Sequence, residues 1–202
     1  MIRLVIADDH AIVRRGLHAL LEQAGGYAIL AECEDACSTR EAVLRLQPDL
    51  LVLDMAMPGG HGLQLAAELR QYQPGLLILL YSQYASPIYV AEARRFGLAG
   101  FVSKQTVADE LVDALAAVAR GEFYLSQDLR GQPGVPGFDA LTDKEREVFL
   151  LLAQGRLPKQ VGPEMGISEK TVYTHRDHIR EKLGLANDQQ FQQLAQRLGL
   201  LR

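Results

Sequence analysis

Four apolar runs in the first half of the chain each end in a residue suited to phosphoryl chemistry. IRLVIA runs into Asp8 and Asp9, LLVL into Asp54, LLILLY into Ser82, and GFV into Ser103 and Lys104. Continuous apolar runs separated by helical patterns predict buried parallel strands, and ligands of open α/β sheets gather outside the carboxyl ends of such strands. The predicted strands are Ile2–Ala7, Tyr27–Cys33, Leu50–Asp54, Leu76–Ser82 and Gly100–Ser103. Helices are predicted over 11–24, 39–46, 63–72, from Pro87 onward, and over 108–120. Five βα units with right-handed crossovers give an α/β fold, a flavodoxin-like (βα)5 domain. Its parallel sheet order 2-1-3-4-5 lets strands 1, 3, 4 and 5 share one crevice.

Composition narrows the class further. With 202 residues and 48% apolar content, the chain can bury one or two sizeable cores. Its apolar stretches fall short of the ~20 residues needed to cross a bilayer, and the N-terminus enters a strand without a basic leader, so a cytoplasmic protein with no membrane partner is expected. Cys33 and Cys37 have no nearby metal-ligand partners and are expected to be reduced thiols. The net charge of −4 hides an asymmetry: residues 1–128 carry 10 Lys/Arg against 16 Asp/Glu, and residues 129–202 carry 11 against 9. Near the changeover lies RGQPGVPGFD, a composition that cannot pack a core. The expected organisation is a domain over 1–124, a linker over 125–138 and a second domain over 139–202.

Three carboxylates at one site repel one another unless one is protonated or a cation sits among them. Oxygen donors select a hard metal, and Mg2+ accepts one or two carboxylates while leaving positions for a phosphoryl group. Asp54 then suits the role of nucleophile, with the Lys104 ammonium neutralising charge and the Ser82 hydroxyl donating to a phosphoryl oxygen. Taken singly, these residues have blander readings: Asp8 and Asp9 as helix caps, Asp54 and Ser82 as turn residues, Lys104 as a solvated strand end. Their convergence on strand ends favours the chemical reading. His10 and His61, both in loops, are assigned no chemistry.

The second half reads as helices only, making a small all-α domain. Thr142 and Glu145 have capping-box spacing at the start of LTDKEREVFLLLAQG, a short segment runs from Pro158 to Met165, and a helix over Glu169–Leu183 follows the Gly166-Ile167-Ser168 turn. Two short helices joined by such a turn form a helix-turn-helix, whose second helix enters the DNA major groove. At about 100° per residue, Val172, Ile179 and Leu183 share a core-facing arc. The candidate DNA-contacting residues are Lys170, Thr171, Tyr173, Thr174, His175, Arg176, Asp177 and Arg180. Lys170 and Arg176 suit phosphates at the groove margin, whereas Tyr173, Thr174 and Asp177 suit base edges.

The separated strings ADDH, VRRGL, PDLLVLDMAMPGGHGL and GFVSK, together with Ser82, resemble the receiver domain of bacterial two-component response regulators. The resemblance implies phosphorylation of Asp54 by a sensor histidine kinase, Mg2+ held by Asp8, Asp9, Asp54 and the Ala56 carbonyl, and an aromatic switch at Phe101. Gln83 stands where many receivers carry a small residue. LTDKEREVFLLLAQG and GISEKTVYTHRDHIREKLGLAND resemble the LuxR-type helix-turn-helix of the NarL/FixJ group. That match implies binding of double-stranded DNA, dimerisation on phosphorylation, transcription control, and a closing helix over Asp188–Leu198. Gly162 and Pro163 depart from this pattern, and a proline past the first free turn costs ~3 kcal/mol, so a bent or late-starting helix is expected there. Asp188 stands where arginine is frequent. Two other readings are a regulator acting through protein contacts and an aspartate-nucleophile phosphatase; the latter usually needs a second carboxylate at the position of Ala56.

Overall fold

A computed structural model describes residues 1–83, 86–106, 108–131 and 134–197. The chain divides into two compact units, with the main changeover between Gly131 and residue 132 and with Ser86–Ile88 grouped with the second.

The first unit alternates β1 (Ile2–Ala7), α1 (Ala11–Ala24), β2 (Tyr27–Cys33), α2 (Ala36–Leu46) and β3 (Leu50–Leu53). It continues with β4 (Ala56–Met57), β5 (Gly60–His61), α3 (Gly62–Tyr72), β6 (Leu77–Ser82), α4 (Pro87–Arg95), β7 (Gly100–Ser103), α5 (Ala108–Ala119) and β8 (Tyr124–Leu125). The main sheet runs β2-β1-β3-β6-β7-β8, and every pairing in it is parallel. Its first five members reproduce the predicted order, with β6 and β7 as the fourth and fifth strands. The central strands are largely buried: Leu4, Val5, Ile6, Leu50, Leu51 and Leu53 have no exposed surface. That is why they read as continuous apolar runs rather than as alternating ones. On one face, Leu17 and Leu21 of α1 and Leu111, Leu115 and Val118 of α5 close over Leu4, Ile6 and Val52.

Helix starts follow local chemistry. Asp35 caps α2 by accepting from the Ser38 N–H at 2.7 Å, which sets the helix three residues earlier than its apolar period suggests. His61 caps α3 through Nδ1, which accepts from the Leu63 N–H.

Much of the predicted linker is folded. Leu125 belongs to β8, Ser126 and Leu129 are buried, and residues 127–129 form a 3-10 turn. At the other end Gly137 adopts φ 78, and a Cβ there would lie 2.4 Å from the Lys182 carbonyl oxygen. Only a residue without a side chain fits that approach.

The second unit contains α6 (Asp143–Ala153), α7 (Pro158–Met165), α8 (Glu169–Lys182) and α9 (Asp188–Arg197). Residue 198, the predicted end of α9, lies outside the described residues. Phe149 sits at the centre with Phe138 at 5.7 Å and Phe191 at 5.0 Å between ring centroids, and Val148, Val161, Val172 and Ile179 are fully buried around it. Leu183, expected in that core, follows the end of α8 and is only half-buried. The expected late start of α7 is not observed. Pro158 occupies the first position, where its missing N–H and fixed φ suit a helix start, and the Gln160 side chain accepts from the Leu157 N–H. Pro163 lies inside the helix, and Gly162 faces the following turn so closely that a Cβ would meet the Ile167 carbonyl oxygen at 2.9 Å.

Candidate functional site

The register of the parallel sheet brings the chemically distinctive strand ends to one rim. Ala7 pairs with Leu53, and Ser82 with Ser103, so Asp8, Asp54 and Lys104 each follow directly on a neighbouring strand. The Asp54 N–H donates to the Ala7 carbonyl at 2.8 Å, and the Lys104 N–H to the Ser82 carbonyl at 2.9 Å, extending the ladder into the site.

Side chains converge on the same rim. Lys104 Nζ donates to Asp54 Oδ2 at 2.7 Å and forms an ion pair with Asp8 Oδ2 at 2.6 Å. Both carboxylates are buried, whereas Asp9 is exposed, with its Oδ1 2.6 Å from His10 Nδ1. Burial pushes the Asp54 carboxyl above the ordinary carboxylate range, against the pull of Lys104. Burial also works to lower the Lys104 ammonium, but hydrogen bonding and charge from Asp54 and Asp8 outweigh it, so its pKa is raised and the group stays charged.

Among the described residues, Asp8, Asp9, His10 and Asp54 each place one ligand atom within 4.8 Å of the others. Of the three carboxylates, Asp8 and Asp54 share the Lys104 ammonium, and hard oxygen donors in this number suit a divalent cation such as Mg2+. The Asp8 carboxylate also accepts from the His10 N–H at 2.9 Å, and the Asp8 carbonyl accepts from Arg14 Nη1 at 2.6 Å. Neither His10 nor Arg14 stood out in the sequence as part of the site. The one available signal was adjacency to Asp8 and Asp9. Ala56 opens the β4–β5 ribbon and its N–H donates to Asp54 Oδ1 at 3.4 Å. Ser82 and Phe101 have no exposed surface at the ends of β6 and in β7.

The ribbon also turns the chain so that Gly62, the first residue of α3, lies against the backbone of the Asp54 loop. A Cβ on Gly62 would fall 2.5 Å from the Asp54 carbonyl oxygen and 2.6 Å from Met55 Cα. Backbone on both sides leaves nothing to give way cheaply. Gly62→Ala is therefore expected to cost about 2 kcal/mol and to displace the Asp54 loop. Denaturant melts of the variant check this; a wild-type midpoint would refute the close-packing argument.

In the second unit, Ser168 caps α8 by accepting from the Thr171 N–H at 3.1 Å. Lys170, Tyr173, Thr174 and Asp177 lie exposed along the helix, Thr171, His175, Arg176 and Arg180 are half-buried, and Val172 and Ile179 face inward. Arg176 stacks 4.8 Å from the Tyr173 ring centroid and donates to Asp188 Oδ2 at 3.0 Å. Arg180 reaches Asp188 Oδ1 at 3.7 Å and donates to the Ala186 carbonyl.

Residues 4–116 match the response regulator receiver domain family, and residues 139–195 match the bacterial regulatory proteins of the luxR family. Transcriptional regulatory protein UhpA of Salmonella typhimurium is 37% identical over 191 residues, covering 93% of this chain and 94% of that protein. The probable transcriptional regulatory protein NarL of Mycobacterium tuberculosis is 32% identical over 92% of this chain and 89% of its own length. RcsB of Salmonella enterica serovar Typhimurium, solved bound to promoter rprA in the presence of the phosphomimetic BeF3−, superimposes with a TM-score of 0.79 at 28% identity, over 97% of this chain and 99% of that one. With a strand-end acidic pocket in one unit and a capped recognition helix in the other, the chain belongs to the two-component response regulators that join a receiver domain to a LuxR-type DNA-binding domain.

Proposed function

We propose that Asp54 accepts a phosphoryl group from a sensor histidine kinase and that this modification controls dimerisation and sequence-specific DNA binding. The observation that carries the reading is the Lys104 ammonium within 2.7 Å of Asp54 and 2.6 Å of Asp8 at one sheet rim. An Asp54 carboxylate oxygen attacks phosphorus, the P–N bond of the donor breaks, and the imidazole leaves with its electron pair and takes up a proton. Lys104 is placed to follow the added negative charge, and the Ser82 hydroxyl to donate to a phosphoryl oxygen. Phe101, at present fully buried, is the aromatic whose packing answers to that movement. The protein is a phosphoacceptor and not a turnover enzyme.

Asp8, Asp9, Asp54 and the Ala56 carbonyl would hold Mg2+, which supplies charge neutralisation for the equatorial oxygens of the transferring group. By mass action, Mg2+ at 100 times its dissociation constant is expected to stabilise the receiver by about 2.7 kcal/mol, read as a raised melting temperature. Asp9→Asn should lose most of that response. An unchanged response in Asp9→Asn would remove Asp9 from the metal site.

In the C-terminal unit, Lys170 and Arg176 are assigned to DNA phosphates, and Tyr173, Thr174 and Asp177 to base edges, with Thr171, His175 and Arg180 at the margin. Two such helices in a dimer would read half-sites about one DNA turn apart. Two lines of support are the luxR-family match over 139–195 and the promoter-bound state of the RcsB neighbour. A gel-shift titration on the cognate operator, recovered by sequencing DNA that copurifies with the phosphorylated protein, tests the whole reading. Phosphodonor treatment should tighten binding for wild type and leave Asp54→Ala unaffected. Equal affinities in all three states would overturn it.

A further inference from the structure

Helix α8 is the proposed reading helix, yet three of its cations are engaged within the domain. Lys182 donates to Glu145 Oε2 at 2.6 Å, and Arg176 and Arg180 share the carboxylate of Asp188 in α9, one oxygen each at 3.0 and 3.7 Å, with Asp177 Oδ1 a second partner of Arg180 at 3.8 Å. The remaining cation of the helix is Lys170. The side chains of Arg176 and Arg180 are only 24% and 25% exposed, and among the described residues the Nε of each is buried without a hydrogen-bond partner, so each meets anions through its Nη groups.

Asp188 is not needed where it stands to cap α9. The cap is supplied by Asn187, whose Oδ1 accepts from the Gln190 N–H at 2.9 Å. The Asp188 side chain is 55% exposed, with its oxygens turned to the two guanidinium groups. A carboxylate between two guanidinium groups at a solvent-facing margin occupies the place an anionic phosphate oxygen would take.

We propose that Asp188 is an internal substitute for a DNA phosphate, a positioning residue that keeps Arg176 and Arg180 neutralised and so suppresses the sequence-independent part of DNA binding. The proposal rests on the DNA-binding reading above. The surface it describes takes the sugar-phosphate backbone of duplex DNA at the edge of the major groove. Binding there must either displace Asp188 or proceed with both arginines already paired, and in either case the phosphate contribution is reduced.

The experiment is a fluorescence-anisotropy titration of a mixed-sequence DNA duplex with the full chain over a salt series, for wild type, Asp188→Asn, Arg176→Gln and Arg180→Gln, and for each arginine change combined with Asp188→Asn. Freeing Arg176, and leaving Arg180 with Asp177 as its one remaining carboxylate, should raise affinity by up to about tenfold near 0.1 M salt and steepen the slope of log K against log salt by roughly 1 to 2 per protomer. Either arginine change should lower affinity less in the wild-type background than in the Asp188→Asn background, where each should remove much of the gain.

An Asp188→Asn protein with native melting behaviour and a wild-type slope overturns the proposal. So does a loss from Arg176→Gln and Arg180→Gln that is equal in the wild-type and Asp188→Asn backgrounds, since arginines already neutralised by Asp188 must matter more once it is gone. Absence of salt-sensitive DNA binding in every variant sinks the DNA-binding reading itself, and this inference with it.

Discussion

Asp54→Asn is expected to abolish covalent phosphate incorporation, by more than about 100-fold, because an amide in the same space offers no anionic oxygen to attack phosphorus. The same change is expected to raise the melting temperature at pH 7. Burial holds the Asp54 carboxyl above its usual range, so below pH 3.8, where folded and unfolded forms are both protonated, the group costs nothing. As pH rises through the raised folded value, the ionised side chain must be kept in a poorly solvated place beside Asp8, and stability is lost. Asparagine removes that cost and leaves Lys104 paired with Asp8 at 2.6 Å. Loss of phosphorylation with gain of stability separates a chemical role from a structural one. Retained incorporation, traced to another residue by mass spectrometry of the borohydride-reduced protein, would show that the phosphoacceptor lies elsewhere.

The second large effect is expected in the DNA-binding unit. Glu145 is 4% exposed, and its Oε2 accepts from the Thr142 N–H at 2.7 Å and from Lys182 Nζ at 2.6 Å, while Thr142 Oγ1 lies 2.9 Å away. One carboxylate thus caps α6 and ties it to the end of α8. Burial alone would raise its pKa, but Lys182 and Thr142 together bring it down to about 2. The folded value lies below the ordinary 4.5, so as pH falls the unfolded chain takes up the proton first. The stabilisation is therefore complete above pH 4.5 and disappears between about 4.5 and 2. Glu145→Ala removes both the cap and the ion pair and should cost about 3 kcal/mol at neutral pH, a large share of the roughly 3 to 10 kcal/mol typical of a unit this small. Glu145→Gln keeps an acceptor for the cap and should lose less, while flattening the acid limb of the stability curve. Thermal melts of the three proteins between pH 2 and 7 check both points, and an acid limb in Glu145→Gln equal to wild type would assign the pH dependence to other groups.

What was legible in the chain was whatever declares itself by period or by type. The buried strands showed as unbroken apolar runs, and Asp8, Asp54, Ser82 and Lys104 showed because each follows a run directly. The capping box of α6 showed because Thr142 and Glu145 lie three apart. Features carried by two residues or by contact across the fold did not show. Strands β4, β5 and β8 are two residues each, too short for any alternation to register. The tight seat of Gly62 under the Asp54 carbonyl depends on a ribbon that no propensity announces. The pairing of Arg176 and Arg180 with Asp188 spans twelve and eight positions and depends on how the chain turns between α8 and α9. Pro163 was read by its cost alone; the observed start of α7 reflects Pro158 and Gln160, which favour the helix where Pro163 opposes it.

Strand β8 changes what can happen at the side of the sheet. Tyr124 and Leu125 pair with Gly100 and Phe101, and beyond them the Ser126 hydroxyl accepts from the Ser103 N–H at 3.2 Å. The backbone groups of β7 that would otherwise offer a template for another chain are thereby satisfied from within, and the new border is only two residues long. Self-association that lengthens the sheet is therefore discouraged on this flank.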